Sequence, residues 1–573
     1  MTRAFSAGQQ TAGFNGFGFR WNTMNGWGRI FAVLFGLLLL TPIVPILYQA
    51  FLSKPLYDGT GDLTLDNFAR LASDPDFVPA VLNTIYFAGL STIIALVLGF
   101  VFSVVIERFE IPFRRTLRFL IIAPIFISPL IMALAWSMVY GSGGYVSIMT
   151  KVYFGANLPN LNSLTGMCIV TGIVQVPITY LYLSSAAANI PNVFERSAIA
   201  SGASWLTAVR TILLPLLRPA ILFCVLLNIM LVIDQLAVPL IIGEPARVLV
   251  LATFLYTKGA ISVQMDYGII AAAAVCMILV IQALIVLQGR LVGESRKYVT
   301  VGGKGQGMSR RAPSCVSAGI ISAVLAIYAI ITLIVPTLFL ILRSFTSVLT
   351  PLIPISQALT LENYAEIFGF EQYVRSIYNS LLISVFGGVA AVAITFLAAL
   401  FAYRTTPGVR TAIEQIATIP RAIPGLIVGL GFFYGVILFP GGEYLKNTLF
   451  ILFLAFFIRN FPTGFGAVAP SFLQVGEELD RAARACGASR WVAIKDVTLP
   501  LTKRALAGSF VLYFVYFVKE YSSAAFLFGP GSEVIGTTML QLNFSGFLGT
   551  LAALACVELV ILVPFAILIY GRR

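Results

Sequence analysis

The chain has 573 residues, of which 59% are hydrophobic and only 11% charged, and its mean hydropathy is +0.93. Soluble domains carry roughly a quarter charged residues, so these values exclude a water-solvated globule and indicate a polytopic membrane protein. The formal net charge of +13 does not point to nucleic acid, because the basic residues cluster in alternate loops, as the positive-inside rule expects of a cytoplasmic face.

Residues 1–29 are rich in Gly, Asn and aromatics, with Arg3, Arg20 and Arg29 near the first apolar run, and read as a cytoplasmic N-terminal segment. The run from Ile30 to Tyr48 is longer than a signal-peptide core, and "YQAFLSK" after it is a poor cleavage site, so it reads as a retained span. Spans of the length that crosses a bilayer are predicted near 30–50, 83–106, 119–139, 164–187, 219–242 and 266–288. The segment Phe51 to Leu82 carries Asp58, Asp62, Asp66, Asp74 and Asp76 against Lys54 and Arg70, and is placed outside. "ERFEIPFRRTLR", with Arg108, Arg114, Arg115 and Arg118, is placed inside. Residues 289–315, with Arg290, Arg296, Lys297, Lys304, Arg310 and Arg311, form a basic, Gly-rich cytoplasmic linker without hydrophobic periodicity. A second set of spans follows near 316–342, 377–402, 416–438, 448–470, 505–528 and 546–570. The expected fold is therefore all-α and membrane-integral, with about twelve transmembrane helices in two parallel six-helix repeats, 30–288 and 316–573, and both termini cytoplasmic.

The repeat is visible in the letters as well. "LTLDNFARL" from Leu63 pairs with "LTLENYAEI" from Leu359, Asn83 with Asn379, Arg108 with Arg404 and Pro124 with Pro420, all at one shift. Beyond the third span the shift shortens, and Pro177 pairs with Pro462, Gly202 with Gly487 and Pro215 with Pro500. The residues lost fit a longer outer loop, "YGSGGYVSIMTKVYFGANLPN", in the first half. The proline clusters "APIFISPL" and "IPRAIPGLIVGLG" sit at matching places and read as helix starts or kinks.

Two polar stretches stand out from this apolar background: Val193 to Leu216 and Glu478 to Leu501, each between the fourth and fifth span of its half. In the second, Leu479, Ala482, Ala483 and Cys486 recur at helical steps and make one face of small apolar residues, with Glu478, Asp480, Arg481 and Arg484 around the remainder. A helix meant to lie on lipid would put Trp, Phe or Leu on its buried face, so docking in a protein groove is the better reading. The stretches resemble the cytoplasmic EAA loop of ABC-importer permeases. The pattern fits as Arg196-Ser197-Ala198, Gly202 and Ile212-Leu213-Leu214-Pro215, and again as Arg481-Ala482-Ala483, Gly487 and Val497-Thr498-Leu499-Pro500. Both copies depart from it in one respect, an arginine in place of the leading glutamate, with Glu195 or Asp480 one position earlier.

That resemblance implies a type I ABC-importer permease with both halves fused in one chain. It further implies that each loop is a coupling helix seated in one of two cytoplasmic ATPase subunits, and that a periplasmic binding protein delivers the solute. The coupling residues it implies are Glu195, Arg196, Ala198, Gly202 and Ala203 in the first half and Asp480, Arg481, Ala482, Ala483, Gly487 and Ala488 in the second. No phosphate-binding loop is present, since "VGGKGQG" around Lys304 lacks the spacing and the following Ser or Thr. ATP and magnesium are thus expected on the partner, and this chain is expected to carry no cofactor, no metal and no enzymatic activity. The six cysteines show no metal or disulfide spacing, and histidine is absent.

Ionisable groups within spans are costly and usually face the bundle interior. Asp234, paired with Glu520 across the repeats, Arg459, and the matched Gln175 and Asn460 either border the translocation path or hold helices together as internal ion pairs, Arg459 with Glu520 for example. Both readings remain open on sequence. The segment Val518 to Leu554 most resembles the iron(III) branch of these permeases, whose relatives take up thiamine, polyamines or aminoethylphosphonate. The alternative from a different class is a twelve-span secondary transporter, which is also built from two parallel six-span halves but has no reason to carry two EAA-type loops.

Overall fold

The computed structural model describes residues 21–59, 61–262, 265–295 and 314–570. Residues 1–20 of the expected N-terminal segment and 296–313 of the expected linker lie outside the described residues. Among the described residues the fold is helical, with two isolated antiparallel bridges, Leu52 to Leu63 and Thr346 to Leu359, at corresponding places in the two repeats.

Nine described helices are long and apolar enough to cross a membrane, and four bent pairs raise the number to thirteen. Twelve of these match the expected spans. The thirteenth is a bent pair, Pro239–Ala246 and Leu251–Ile261, with an 85° break, most of which falls between the expected fifth and sixth spans. The fifth span itself lies earlier than expected, at Trp205–Ile233, and its counterpart at Arg490–Val518. Both helices continue through Pro215 and Pro500. A π turn, Val209–Leu213 or Ile494–Thr498, precedes each proline. Proline lacks an N–H and crowds the carbonyl one turn back, and a wider local turn relieves both while the helix continues. The same device, Ile330–Ile334, precedes Pro336.

The matched proline clusters are corners rather than kinks. Arg114–Phe126 meets Pro129–Phe154 at 107°, and Pro407–Ala422 meets Gly425–Leu438 at 99°. A residue before proline is pushed out of the helical region. Ser128 accordingly adopts ψ 136° and caps the new helix through Leu130 N–H.

The chain divides into two compact units. One comprises residues up to Leu40, Val389–Pro420 and Phe461–Phe510; the other comprises Thr41–Gly388, Arg421–Asn460 and Val511 onward. In the first, Phe31 stacks on Phe401 at 4.9 Å and Phe35 meets Phe461 edge-on at 4.7 Å. In the second, the second span (Phe77–Arg108) and the fourth (Leu164–Ala188) are in extensive contact along their lengths. Small residues permit this approach, the usual device where lipid offers no hydrophobic drive. A Cβ on Gly99 would meet Thr179 at 2.7 Å, and one on Gly172 would meet Ile94 at 2.7 Å. Ser91 adds a hydrogen bond to the Cys168 carbonyl at 3.2 Å.

Candidate functional site: the paired loops and the intramembrane charges

The loop Val193 to Leu216 begins with a short helix, Val193–Ala200, and its copy is Glu477–Ala485. Each helix ends in the same way. Gly202 and Gly487 take φ +92° and +91°, the left-handed region that only glycine enters freely. Ala203 N–H then reaches back to Ala198 C=O at 3.0 Å and Gly202 N–H to Ile199 C=O at 2.9 Å. In the copy, Ala488 N–H bonds Ala483 C=O at 3.1 Å and Gly487 N–H bonds Arg484 C=O at 3.0 Å. This pair of bonds is the Schellman closure, and it explains the fixed distance from the motif alanine to the glycine. Ser204 and Ser489 next cap a new helix through the N–H groups of Thr207 and Val492. That second helix continues through the π turn into the fifth span.

The acids one place before the motif do not face outward. Glu195 is buried, and its carboxylate lies 3.0 Å from the Arg108 guanidinium at the end of the second span. Arg108 also donates to the Ile190 carbonyl at 3.2 Å and to the Asn192 side chain. Burial pushes the Glu195 carboxyl above its ordinary range, and the attraction of Arg108 only partly opposes this. The copy repeats these partners. Arg404 lies 2.5 Å from Asp480 and donates to the Val475 carbonyl at 2.9 Å. Asp480 also accepts from Thr498 Oγ1 at 2.8 Å. Arg196, Arg481 and Ala482 are exposed, as are both glycines, while Ala198, Ala203, Ala483 and Ala488 are half-buried.

Of the intramembrane residues, the structure brings three together. Arg459 lies 2.9 Å from Asp234 and 3.3 Å from Glu520. Asp234 accepts a second hydrogen bond from Gly425 N–H at 2.8 Å, and Glu520 accepts one from Ser523 N–H at 3.1 Å. A Cβ on Gly425 would overlap the Arg459 guanidinium, so a larger residue here requires that side chain to move. Gln175 and Asn460 are buried, and Asn460 bonds within its own helix to the Phe456 carbonyl at 2.9 Å. Neither joins the Arg459 cluster by a described hydrogen bond.

Residues 95–297 and 391–571, more than half of the chain, match the family described as binding-protein-dependent transport system inner membrane component. The chain belongs to this family. It is a multi-pass inner membrane protein and a permease subunit of an ABC importer, built from two family repeats. It is 26% identical over 502 residues to a putative ferric transport system permease protein of Haemophilus influenzae, covering 83% of this chain and 74% of that one. It is 26% identical over 526 residues to the ferric transport system permease protein FbpB of Actinobacillus pleuropneumoniae, covering 90% and 73%. The sulfate transport system permease protein CysW of Escherichia coli matches at 28% over 266 residues, 46% of this chain and 86% of that one. Among solved structures, a bacterial alginate ABC transporter in complex with a periplasmic protein bound to an alginate pentasaccharide aligns with a TM-score of 0.35 and 20% identity, over 42% of this permease and 85% of that chain.

Two features of the permease escaped sequence reading. Arg108 and Arg404 were visible as a matched pair, but only as inside-positive charges, and their role as the partners of Glu195 and Asp480 was not read. The sequence also paired Asp234 with Glu520. At the shift that relates Gly202 to Gly487 and Pro215 to Pro500, the residue opposite Asp234 is Lys519. Lys519 Nζ donates to the Ile125 carbonyl at 2.8 Å, at the corner within the third span, as Asp234 accepts from Gly425 at the matching corner of the other repeat. The end of each fifth span thus grips a corner of the other repeat, with the sign of the charge inverted.

Proposed function

We propose that this permease carries iron(III), handed over by a periplasmic binding protein, through a membrane path opened and closed by two ATPase subunits docked on Val193–Leu216 and Glu478–Leu501. The observation that carries the docking reading is the duplicated loop. Two copies of one Schellman-closed helix, each held by a buried or half-buried arginine–carboxylate pair, present Arg196 and Arg481 outward. The loops, the linker and both termini lie in the cytoplasm on this reading. The iron(III) assignment rests on the ferric transport names of relatives that align with most of the chain.

Asp234, Arg459 and Glu520 border the path on this reading as a brace of its wall rather than as solute ligands. Arg459 already faces two carboxylates, and Asp234 is filled by Arg459 and Gly425 N–H. Neutral substitution of Arg459 or Glu520 then lowers stability and leaves solute selectivity unchanged; altered selectivity at unchanged stability rejects the brace.

The test of function is reconstitution of the permease with an ABC ATPase and a periplasmic binding protein that co-purify with it. ATP-dependent uptake of radiolabelled iron(III), exceeding that of thiamine, spermidine or aminoethylphosphonate, is expected. Uptake driven by an ion gradient in vesicles holding this chain alone overturns the ATP-driven reading, and preferred uptake of another solute overturns iron(III).

A further inference from the structure

The second span touches both the coupling helix and the bent pair Pro239–Ala246 and Leu251–Ile261, and its two ends are gripped by matched polar residues. At the loop end, Arg108 binds Glu195, Asn192 and the Ile190 carbonyl. At the far end, Asn83 donates to the Leu249 carbonyl at 2.9 Å, and Thr84 Oγ1 accepts from Leu251 N–H at 2.8 Å. Leu249 and Leu251 flank the start of the helix Leu251–Tyr256, the second arm of the bent pair that follows the fifth span. Between its two grips the second span is uninterrupted α-helix from Phe77 to Arg108, with its only proline, Pro79, in the first turn. At 1.5 Å per residue it spans about 48 Å. By contrast, the fourth span carries Pro177 and the fifth carries a π turn with Pro215 and Pro219.

We infer that the second span, Phe77–Arg108, is the connecting rod of the first repeat: Arg108 takes up displacement of the coupling helix, and Asn83 with Thr84 delivers it to the Leu251–Ile261 segment. Arg108 and Asn83 are positioning residues, acting through the elements they hold. The inference rests on the proposal that the coupling helix receives an ATPase subunit. A continuous α-helix resists compression and bending because every turn is closed by its own hydrogen bonds, whereas proline and π turns are where helices bend. Each grip is doubled in chemistry by the second repeat, which places Arg404 on Asp480 and the Val475 carbonyl, and Asn379 on the carbonyls of Gly531 and Glu533 at 3.1 and 2.8 Å. Ser380 accepts from Ile535 N–H at 2.8 Å, as Thr84 does from Leu251. The end contacts thus recur in both repeats, but the second repeat's span carries a π turn, Ile383–Gly387, between them, so the uninterrupted rod belongs to the first repeat.

The experiment uses the assembled importer with a fluorophore at Ile261→Cys, an exposed site at the end of the driven segment, after Cys315 and Cys486 are replaced by Ser. ATP is expected to change the signal in the otherwise unaltered complex. R108Q, N83A and the double glycine variant Ile93→Gly/Val97→Gly are each expected to reduce that change by about fivefold or more, with co-purification of the ATPase and nucleotide binding retained. Ile93 and Val97 are exposed at 58% and 56% and lie between the two grips, so their replacement softens the rod without removing a grip residue. R108K is expected to restore part of the response, and R108Q combined with N83A is expected to be no worse than the weaker single variant, because both break one series connection. A full signal change in the softened helix, multiplicative losses in the double variant, or no ATP response before any substitution overturns the rod. Failure of the unaltered permease to bind an ATPase subunit instead overturns the docking reading beneath it.

Discussion

The two coupling loops share a backbone and differ in what fills the space behind it. In the first, the arginine–glutamate pair is almost fully covered, with side-chain exposures of 3% and 7%. An apolar cluster of Val104, Ala187, Val209, Leu213 and Leu217 packs in the same region. In the second, the pair is more open, with 7% and 16%, and position 498, the counterpart of Leu213, is a threonine that bonds Asp480. The shorter aspartate gains a hydroxyl where the longer glutamate gains burial. Duplication therefore preserved the arginine, the acid and the carbonyl between them, and left the surrounding chemistry free to change. What is kept in both copies is what positions the helix.

This difference sets the largest expected effect. Removing one member of a buried pair leaves the other charge without compensation, at about 3–5 kcal/mol. R108Q is expected to cost that much, because Glu195 has only the covered site around it. R404Q is expected to cost about 1–3 kcal/mol, because Asp480 is more exposed and keeps its bond from Thr498. Thermal unfolding of the two variants in detergent orders them, and a larger loss for R404Q breaks the comparison.

Thr498→Val sharpens it. A hydrogen bond to a charged acceptor contributes about 1.5–3 kcal/mol, so this variant is expected to destabilise the second loop by that amount. In an Asp480→Ala background the same substitution is expected to have almost no effect. A cost that is equal in the two backgrounds assigns it to packing and removes the polar account of the second loop.

Much of this permease was legible in its letters. Twelve spans follow from apolar runs alone, and Gly202 and Gly487 follow from the alanine-to-glycine spacing. Corners at Ser128 and Pro424 were visible as proline clusters, although proline marks a bend without giving its angle. Other features depended on contacts remote in sequence. The continuity of the fifth span through Pro215 and Pro500 rests on π turns, for which residues such as Val209 to Leu213 carry no signature. Arg108 and Glu195 are 87 positions apart, and nothing in hydropathy joins them. The hint that was available was the arithmetic of the repeat: an arginine and an acid recur together at Arg404 and Asp480, although the neighbours of both have changed.

The glycines test whether the two loops are equal where their backbones are equal. Nothing lies within 4 Å of a Cβ added at Gly202 or Gly487, so alanine there meets backbone strain only. Entering the left-handed region costs a residue with a Cβ about 1–2 kcal/mol. G202A and G487A are expected to lose the same amount within that range, in contrast to the unequal arginine variants. A markedly larger loss at one of them identifies a packed neighbour on that side.

The smallest effect lies at the opposite ends of the second spans and has a pH sign. Asn379 grips the Glu533 carbonyl, while the corresponding contact of Asn83 is to Leu249, so only the second repeat carries an acid at this point. Burial alone raises the Glu533 carboxyl, but hydrogen bonds from Arg375, from its own N–H and from Gly531 N–H outweigh it and hold the group below its usual 4.5. A depressed carboxyl contributes stability above its unfolded value and loses it as pH falls through the folded one. The difference in melting temperature between the unaltered permease and E533Q is therefore expected to be constant near neutral pH and to shrink below about 4.5, as the protonated acid comes to resemble the amide. Leu249→Gln, which introduces no charge at the first repeat's matching site, is expected to show no such shrinkage. A difference that instead grows on acidification places Glu533 among groups stabilised by protonation, and the Arg375 contact is then not what holds this end of the second repeat.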